Sequence, residues 1–152
     1  MERLVVGVDG TETSRAALDW AAAEARNRGA ELVVVHAWTV PVMTYGTFLV
    51  PYAPALDAKQ HFEASARAMV DRVVAEADLE GTQVTVSLVE GHPGAALVAE
   101  SSDAAMVVVG NRGRRPLAEL VLGSTTQYVS RHAEVPVVVV PEKASVPAVA
   151  AA

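Results

Sequence analysis

The 152-residue sequence has no cysteine, no isoleucine, only seven aromatic residues and no apolar stretch of the roughly 18 to 20 residues that a bilayer requires. Without cysteine it forms no disulfides, no thiolate zinc site and no iron–sulfur cluster. Positive charge is short too: 12 Lys and Arg stand against 18 Asp and Glu, giving a net charge of −6. A sequence-independent grip on DNA or RNA, which draws its affinity from cations neutralising phosphates, is therefore not expected. The opening MERLVVGVDG lacks a basic segment followed by a long apolar core. The reading is a cytoplasmic protein with no membrane partner.

What remains is abundant and small. Alanine and valine number 28 each, hydrophobic residues make up 51% and charged residues 20%, a balance foreign to disordered chains. One domain of this length buries about 70% of its unfolded surface. Valine clusters in five runs, residues 4–8, 32–35, 84–89, 106–110 and 137–140. They read as strands, and the continuous apolar ones suit strands buried on both faces of a parallel sheet. Only 84–89 partly alternates, as an edge would.

Alanine fills the intervals. Ala17, Leu18, Ala21, Ala22 and Ala25 recur at helical spacing between Thr13 and Arg28, with Gly29 as a stop. Helices are also predicted over 56–79, from Pro93 to Ser101 and from Ser124 to His132. The order β-α-β-α-β-α-β-α-β predicts an α/β, doubly wound fold with parallel strands, right-handed crossovers and helices on both faces. Thr39 to Ala55 reads as one long irregular segment, a candidate lid or partner loop. Residues 142–152 read as a low-complexity tail after a single domain over 1–141.

Open α/β sheets bind ligands beyond the carboxyl ends of their strands, where the strand order reverses. The first strand ends Val8-Asp9-Gly10-Thr11, and the fourth ends Val109-Gly110-Asn111-Arg112-Gly113, followed after nine further residues by Gly123-Ser124-Thr125-Thr126. Glycines there let a ligand approach the main chain, and a helix N-terminus offers amides and a favourable dipole to an anion. Together they describe a phosphate cradle. Taken singly, Ser124 reads as an ordinary N-cap and the glycines as turns.

The spaced run Gly110-x2-Gly113-x9-Gly123-Ser124-Thr125, with Val6-Gly7-Val8-Asp9-Gly10-Thr11 before it and Val135-Pro136-Val137-Val138-Val139-Val140 after it, resembles the ATP-binding branch of the universal stress protein family. The resemblance covers residues 2 to 141. It implies a five-stranded sheet in the order 3-2-1-4-5, an ATP cofactor with Mg²⁺, and a homodimer formed through the Val137 to Val140 edge. It implies no direct metal ligand; Asp9, with Gly10 beside it, would lie near the ribose or reach Mg²⁺ through water. The backbone of Ala37 would meet the adenine, Gly110 the sugar, and Gly113, Gly123, Ser124 and Thr126 the phosphates. Thr125 lies between these and stands where valine is frequent.

Other readings fit less well. No Gly-x4-Gly-Lys-Ser/Thr occurs, and Gly7 and Gly10 have the wrong spacing for a dinucleotide fingerprint. The pattern of a phosphoacceptor receiver, with paired acids after the first strand, is missing as well. The four histidines suggest no catalytic set: His36 reads as a core histidine, His61 lies on a helix, His92 in a turn and His132 near a helix C-terminus. Glu90, Glu100 and Asp103 read as solvated residues at element ends. The expectation is therefore a nucleotide-dependent regulatory protein of the stress response, not an enzyme. The alternative is a nucleotide-free dimeric interaction module of the same fold. The intact glycines favour the first, on the argument that a side chain at Gly110 or Gly123 would fill ligand space.

Overall fold

In the computed structural model, residues 1–51, 55–111 and 122–142 are described. The chain opens with β1 (Arg3–Gly7), α1 (Glu12–Arg28) and β2 (Glu31–Trp38), then forms a hairpin of β3 (Val42–Tyr45) and β4 (Phe48–Pro51). It continues through α2 (Ala55–Glu76), β5 (Gln83–Glu90), α3 (Pro93–Glu100), β6 (Met106–Gly110), α4 (Ser124–His132) and β7 (Val137–Val140). The main sheet is parallel throughout and runs β5-β2-β1-β6-β7. With the hairpin set aside, this is the expected order 3-2-1-4-5. β5 and β7 are its edges.

Strand periodicity divides the valines between two cores. Leu4, Val6, Leu32, Val34 and Val108 face α1 and α2, where they meet Ala17, Leu18, Ala21, Ala22, Ala25, Val70 and Val73. Val5, Val33, Val35, Val107 and Val109 face α3 and α4, against Ala96, Leu97 and Val129. Alternate residues of a strand point to opposite faces, so a run such as Leu32 to Val35 must be apolar at every position to serve both layers. Small alanines let α1 lie close on the sheet, and each fully buried valine contributes about 1.5 kcal/mol or more.

The segment expected to be irregular from Thr39 to Ala55 contains a two-stranded antiparallel hairpin, separate from the main sheet. Tyr45 pairs with Phe48, leaving a two-residue loop in which Gly46 has φ 62°. Primed turns are the usual closure for so tight a hairpin, and their positive φ favours glycine. The flanking β-branched and aromatic residues around Gly46-Thr47 carried that signal, which the neighbouring prolines obscured. Residues 52–54 lie outside the described residues, as does the expected tail from residue 143 onward.

The acids taken as solvated have partners. Glu90 pairs with Lys59 at 3.0 Å, Glu100 accepts from Ser87 Oγ at 2.9 Å, and Asp103 pairs with Arg3 at 2.6 Å. His92 does more than sit in a turn: as N-cap of α3 it accepts at Nδ1 from Ala95 N–H at 3.2 Å.

Candidate functional site

The ends of β1 and β6 lie side by side because β6 crosses over to pair with β1 on the side opposite β2. Beyond those ends a cleft of about 260 Å³ opens on the face covered by α3 and α4, near the lower limit of the roughly 300–1,000 Å³ usual for small-molecule sites. Its floor and walls are Gly7, Val35, Val109, Pro93 and Leu97. Its polar rim joins Asp9 with Thr13 and Ser14 from α1 and with the Gly123 to Thr126 turn.

Of the residues singled out in the sequence, Asp9, Ala37, Gly110, Gly123, Ser124, Thr125 and Thr126 all line this cleft. Gly10 does not. At φ 82°, it turns the chain away after Asp9 and lines a smaller cavity of about 120 Å³ with Arg15, Arg72 and Glu76. Gly113 lies outside the described residues, as do Arg112, Arg114 and Arg115.

The turn after β1 is fastened to α1. Asp9 Oδ1 accepts from the Thr11 hydroxyl at 2.5 Å and from the Thr11 amide at 3.0 Å. Thr11 caps α1 by accepting from Ser14 N–H at 3.3 Å, and Ser14 Oγ accepts in turn from the Asp9 amide at 3.2 Å. One oxygen of the carboxylate is thus held in place by the cap of the helix it precedes.

The N-terminus of α4 is built differently. Its N-cap is Gly123 and not Ser124, and among the described residues no side chain caps it. No acid stands in its first turn. Thr126 is 3% exposed and donates its hydroxyl to the Gly110 carbonyl at 3.0 Å. That proton is therefore spent on tying α4 to β6, leaving Thr126 only its backbone amide as a donor to a ligand. Ser124 is exposed and Thr125 half-buried at the cleft.

Gly110 needs a revised reason. A Cβ there would lie 2.5 Å from the Thr13 carbonyl oxygen and 3.0 Å from the Ser14 nitrogen. What excludes a side chain is the backbone of α1, pressed against the strand end, whatever the ligand does. The glycine at this position therefore does not separate a nucleotide-binding chain from a nucleotide-free one.

Sequence reasoning missed Thr13, Ser14, His36, Pro93 and Leu97 as cleft residues. Thr13 and Ser14 had a signal, being the first turn of a helix that follows the ligand-proximal strand. Pro93 and Leu97 reach the cleft only through the packing of α3, which spacing along the chain does not reveal.

Comparison with known proteins agrees with this architecture. The family model described as "Universal stress protein family" matches residues 1–141. A universal stress protein of Mycobacterium tuberculosis is 34% identical over 153 residues, covering 92% of this chain and 48% of that protein. The chain spans about half the length of the curated relatives it matches. Among solved structures, a universal stress protein in complex with cAMP is 29% identical with a TM-score of 0.61, over 93% of this chain and 97% of that one. One from Archaeoglobus fulgidus is 27% identical with a TM-score of 0.68, over 92% and 98%. By fold, by the spacing of its glycines and by the family match across 141 residues, the chain belongs to the universal stress protein family.

Proposed function

We propose that this protein is an ATP-binding regulator of the stress response, working in the cytoplasm as a homodimer, and that it acts through occupancy and not through turnover. The observation that carries the reading is the uncapped α4 N-terminus opening onto the strand-end cleft. A helix start leaves its first amides without intrahelical partners and concentrates about half a positive charge there. With no capping side chain among the described residues and no acid in its first turn, an anionic ligand is the natural partner for those amides.

A nucleotide fits the remaining walls. Val35, Val109, Pro93 and Leu97 offer an apolar bed for a base, while Asp9 and the hydroxyls of Thr13 and Ser124 suit a sugar and its phosphates. Among the described residues, no group of three or more His, Asp or Glu could hold a metal ion. Mg²⁺ would arrive with the phosphates, reaching Asp9 through water, and would neutralise part of their charge. The cAMP complex of the 29% identical relative supports a nucleotide as the ligand class. The proposed dimer uses β7, which among the described residues pairs only with β6 and so stands at the edge of the sheet, where backbone groups invite a further strand.

Titration calorimetry with ATP and Mg²⁺ tests the reading, with cAMP and AMP as competing ligands. Saturable ATP binding is expected, together with loss of that binding in Gly123→Glu while cooperative unfolding is retained. No affinity for ATP in the wild type would remove the proposal and leave the nucleotide-free module. A monomeric mass in light scattering at micromolar concentration would remove the dimer.

A further inference from the structure

The hydrogen-bond ladder between β1 and β2 stops one rung short of where its register would carry it. Gly7 lies opposite Val35, and the next bond, from Val8 N–H to the Val35 carbonyl at 2.9 Å, keeps the pattern. The following rung of a parallel ladder would run from Ala37 N–H to the Val8 carbonyl. Among the described residues no backbone bond takes that place. The Val8 carbonyl instead accepts from His36 Nδ1 at 2.8 Å. A carbonyl cannot donate, so the proton resides on Nδ1. Val8 is 5% exposed, and a carbonyl so enclosed requires a partner.

The substitution of a ring for a rung has a consequence one residue on. Backbone groups alternate in direction along a strand, so Ala37 shares the β1-facing direction of Val35, whereas the Trp38 carbonyl faces β5 and accepts from Gly91 N–H at 2.9 Å. Ala37 lines the cleft. Its N–H and C=O are thereby left open on the side where β1 departs. A paired donor and acceptor of this kind matches the ring nitrogen and amino group of adenine, but sets a carbonyl against O6 of guanine.

We propose that His36 is a positioning residue for base recognition: by engaging the Val8 carbonyl it keeps the Ala37 backbone edge unzipped from β1 and available to a purine. The proposal rests on the nucleotide reading above, and its test separates the two. In ligand-free protein, amide hydrogen exchange at Ala37 is compared among wild type, His36→Phe and His36→Asn. The asparagine side-chain amide can stand in for Nδ1–H, whereas phenylalanine cannot donate. In His36→Phe the Ala37 amide closes onto the Val8 carbonyl and exchanges more slowly, while His36→Asn stays like wild type. A variant that merely loosened the fold would speed exchange there.

Calorimetry with ATP and GTP, each with Mg²⁺, then reads the preference for adenine. It falls about tenfold in His36→Phe, the scale of one net hydrogen bond, and recovers in His36→Asn. Unchanged or faster exchange at Ala37 in His36→Phe, or an asparagine variant that behaves like phenylalanine, overturns the proposal. If the wild type binds no nucleotide, the functional reading fails while the exchange comparison still decides the role of His36. Should His36→Phe not fold, ¹⁵N spectra of the wild-type ring decide: a proton on Nε2 alone would refute the assignment.

Discussion

Two helices begin at the mouth of the same cleft, and they begin in opposite ways. α1 is closed by its own chain, with Thr11 as side-chain cap, Asp9 and Ser14 fastening the turn, and Glu12 in the first turn. α4 starts at Gly123 with no side-chain cap among the described residues and no acid in its first turn. The chemistry of a helix start is the same in both, namely unpaired amides and a positive dipole end. At α1 internal groups answer it, and that end contributes stability. At α4 no side chain among the described residues does, and the proposed function gives that end to an anion. The same end of the sheet thus carries one helix start closed by its own cap and one that the proposed function assigns to a ligand.

Gly110 holds the two ends together, and altering it breaks the comparison most severely. Its carbonyl receives the Thr126 hydroxyl from α4, and its Cα abuts the Thr13 backbone of α1. A methyl group added there meets backbone at 2.5 Å, which cannot swing aside as a side-chain tip can. Gly110→Ala should destabilise by about 1–3 kcal/mol, the scale of overpacking in a well-filled interior. Chemical denaturation checks this, and wild-type stability in the variant would mean that α1 does not sit as tightly on β6 as described. Gly7→Ala offers a control, since its new Cβ would face the flexible Leu97 Cδ1 at 2.8 Å and should cost less.

Making α4 resemble α1 sharpens the contrast. Gly123→Asp supplies an accepting carboxylate at a backbone conformation, φ −59° and ψ 161°, open to any residue. Stability should rise by a few tenths of a kcal/mol, while ATP affinity falls by about tenfold, or 1.4 kcal/mol, as the new acid answers the amides and repels phosphate. Calorimetry and thermal unfolding on one preparation read both signs. Equal affinity in variant and wild type would show that the α4 end is not where an anion binds.

The reverse change at α1 is smaller. Thr11→Ala removes the acceptor for the Ser14 amide and the hydroxyl that holds Asp9 Oδ1. A loss of about 1 kcal/mol follows from cap substitutions in general, measured as a lower denaturant midpoint. Were Thr11→Ala as stable as wild type, α1 would not depend on its cap.

How far the sequence disclosed this arrangement follows from the range of each interaction. The five strands and four main helices were legible because valine runs and alanine spacing are local, and the strand order followed once the family resemblance was in view. The strand-end residues Asp9 and Gly110 were legible because topology alone carries them to the cleft. The difference between the two helix starts was not. Ser124 has the chemistry of a cap, yet the helix begins one residue earlier than a cap at Ser124 would require. Whether Thr126 donates to a ligand or to Gly110 depends on how α4 docks on β6, which no spacing encodes. His36 read as a core histidine and is indeed hydrogen-bonded, but which group satisfies it was not legible, since its partner is a carbonyl 28 residues away, left for it where β1 leaves the sheet at Val8.

The smallest test concerns a charge at the helix start. Glu12 lies in the first turn of α1, and Arg26 and Arg28 lie in its last turn, so that both ends of this helix complement its dipole. α4 shares only the second half of the pattern, with Arg131 and His132 at its C-terminus. Neutralising Glu12 as Glu12→Gln therefore brings α1 one step toward α4 without altering its cap. The expected cost is about 0.3–1 kcal/mol at low ionic strength. Because Glu12 is exposed, salt should screen the effect, and the gap between wild type and variant should narrow as ionic strength rises and the Debye length falls to about 3 Å near 1 M. The loss in Thr11→Ala, which rests on hydrogen bonds, should persist across the same series. If both losses vanish together in salt, the stability of the α1 end is electrostatic throughout, and its difference from α4 is one of charge and not of capping.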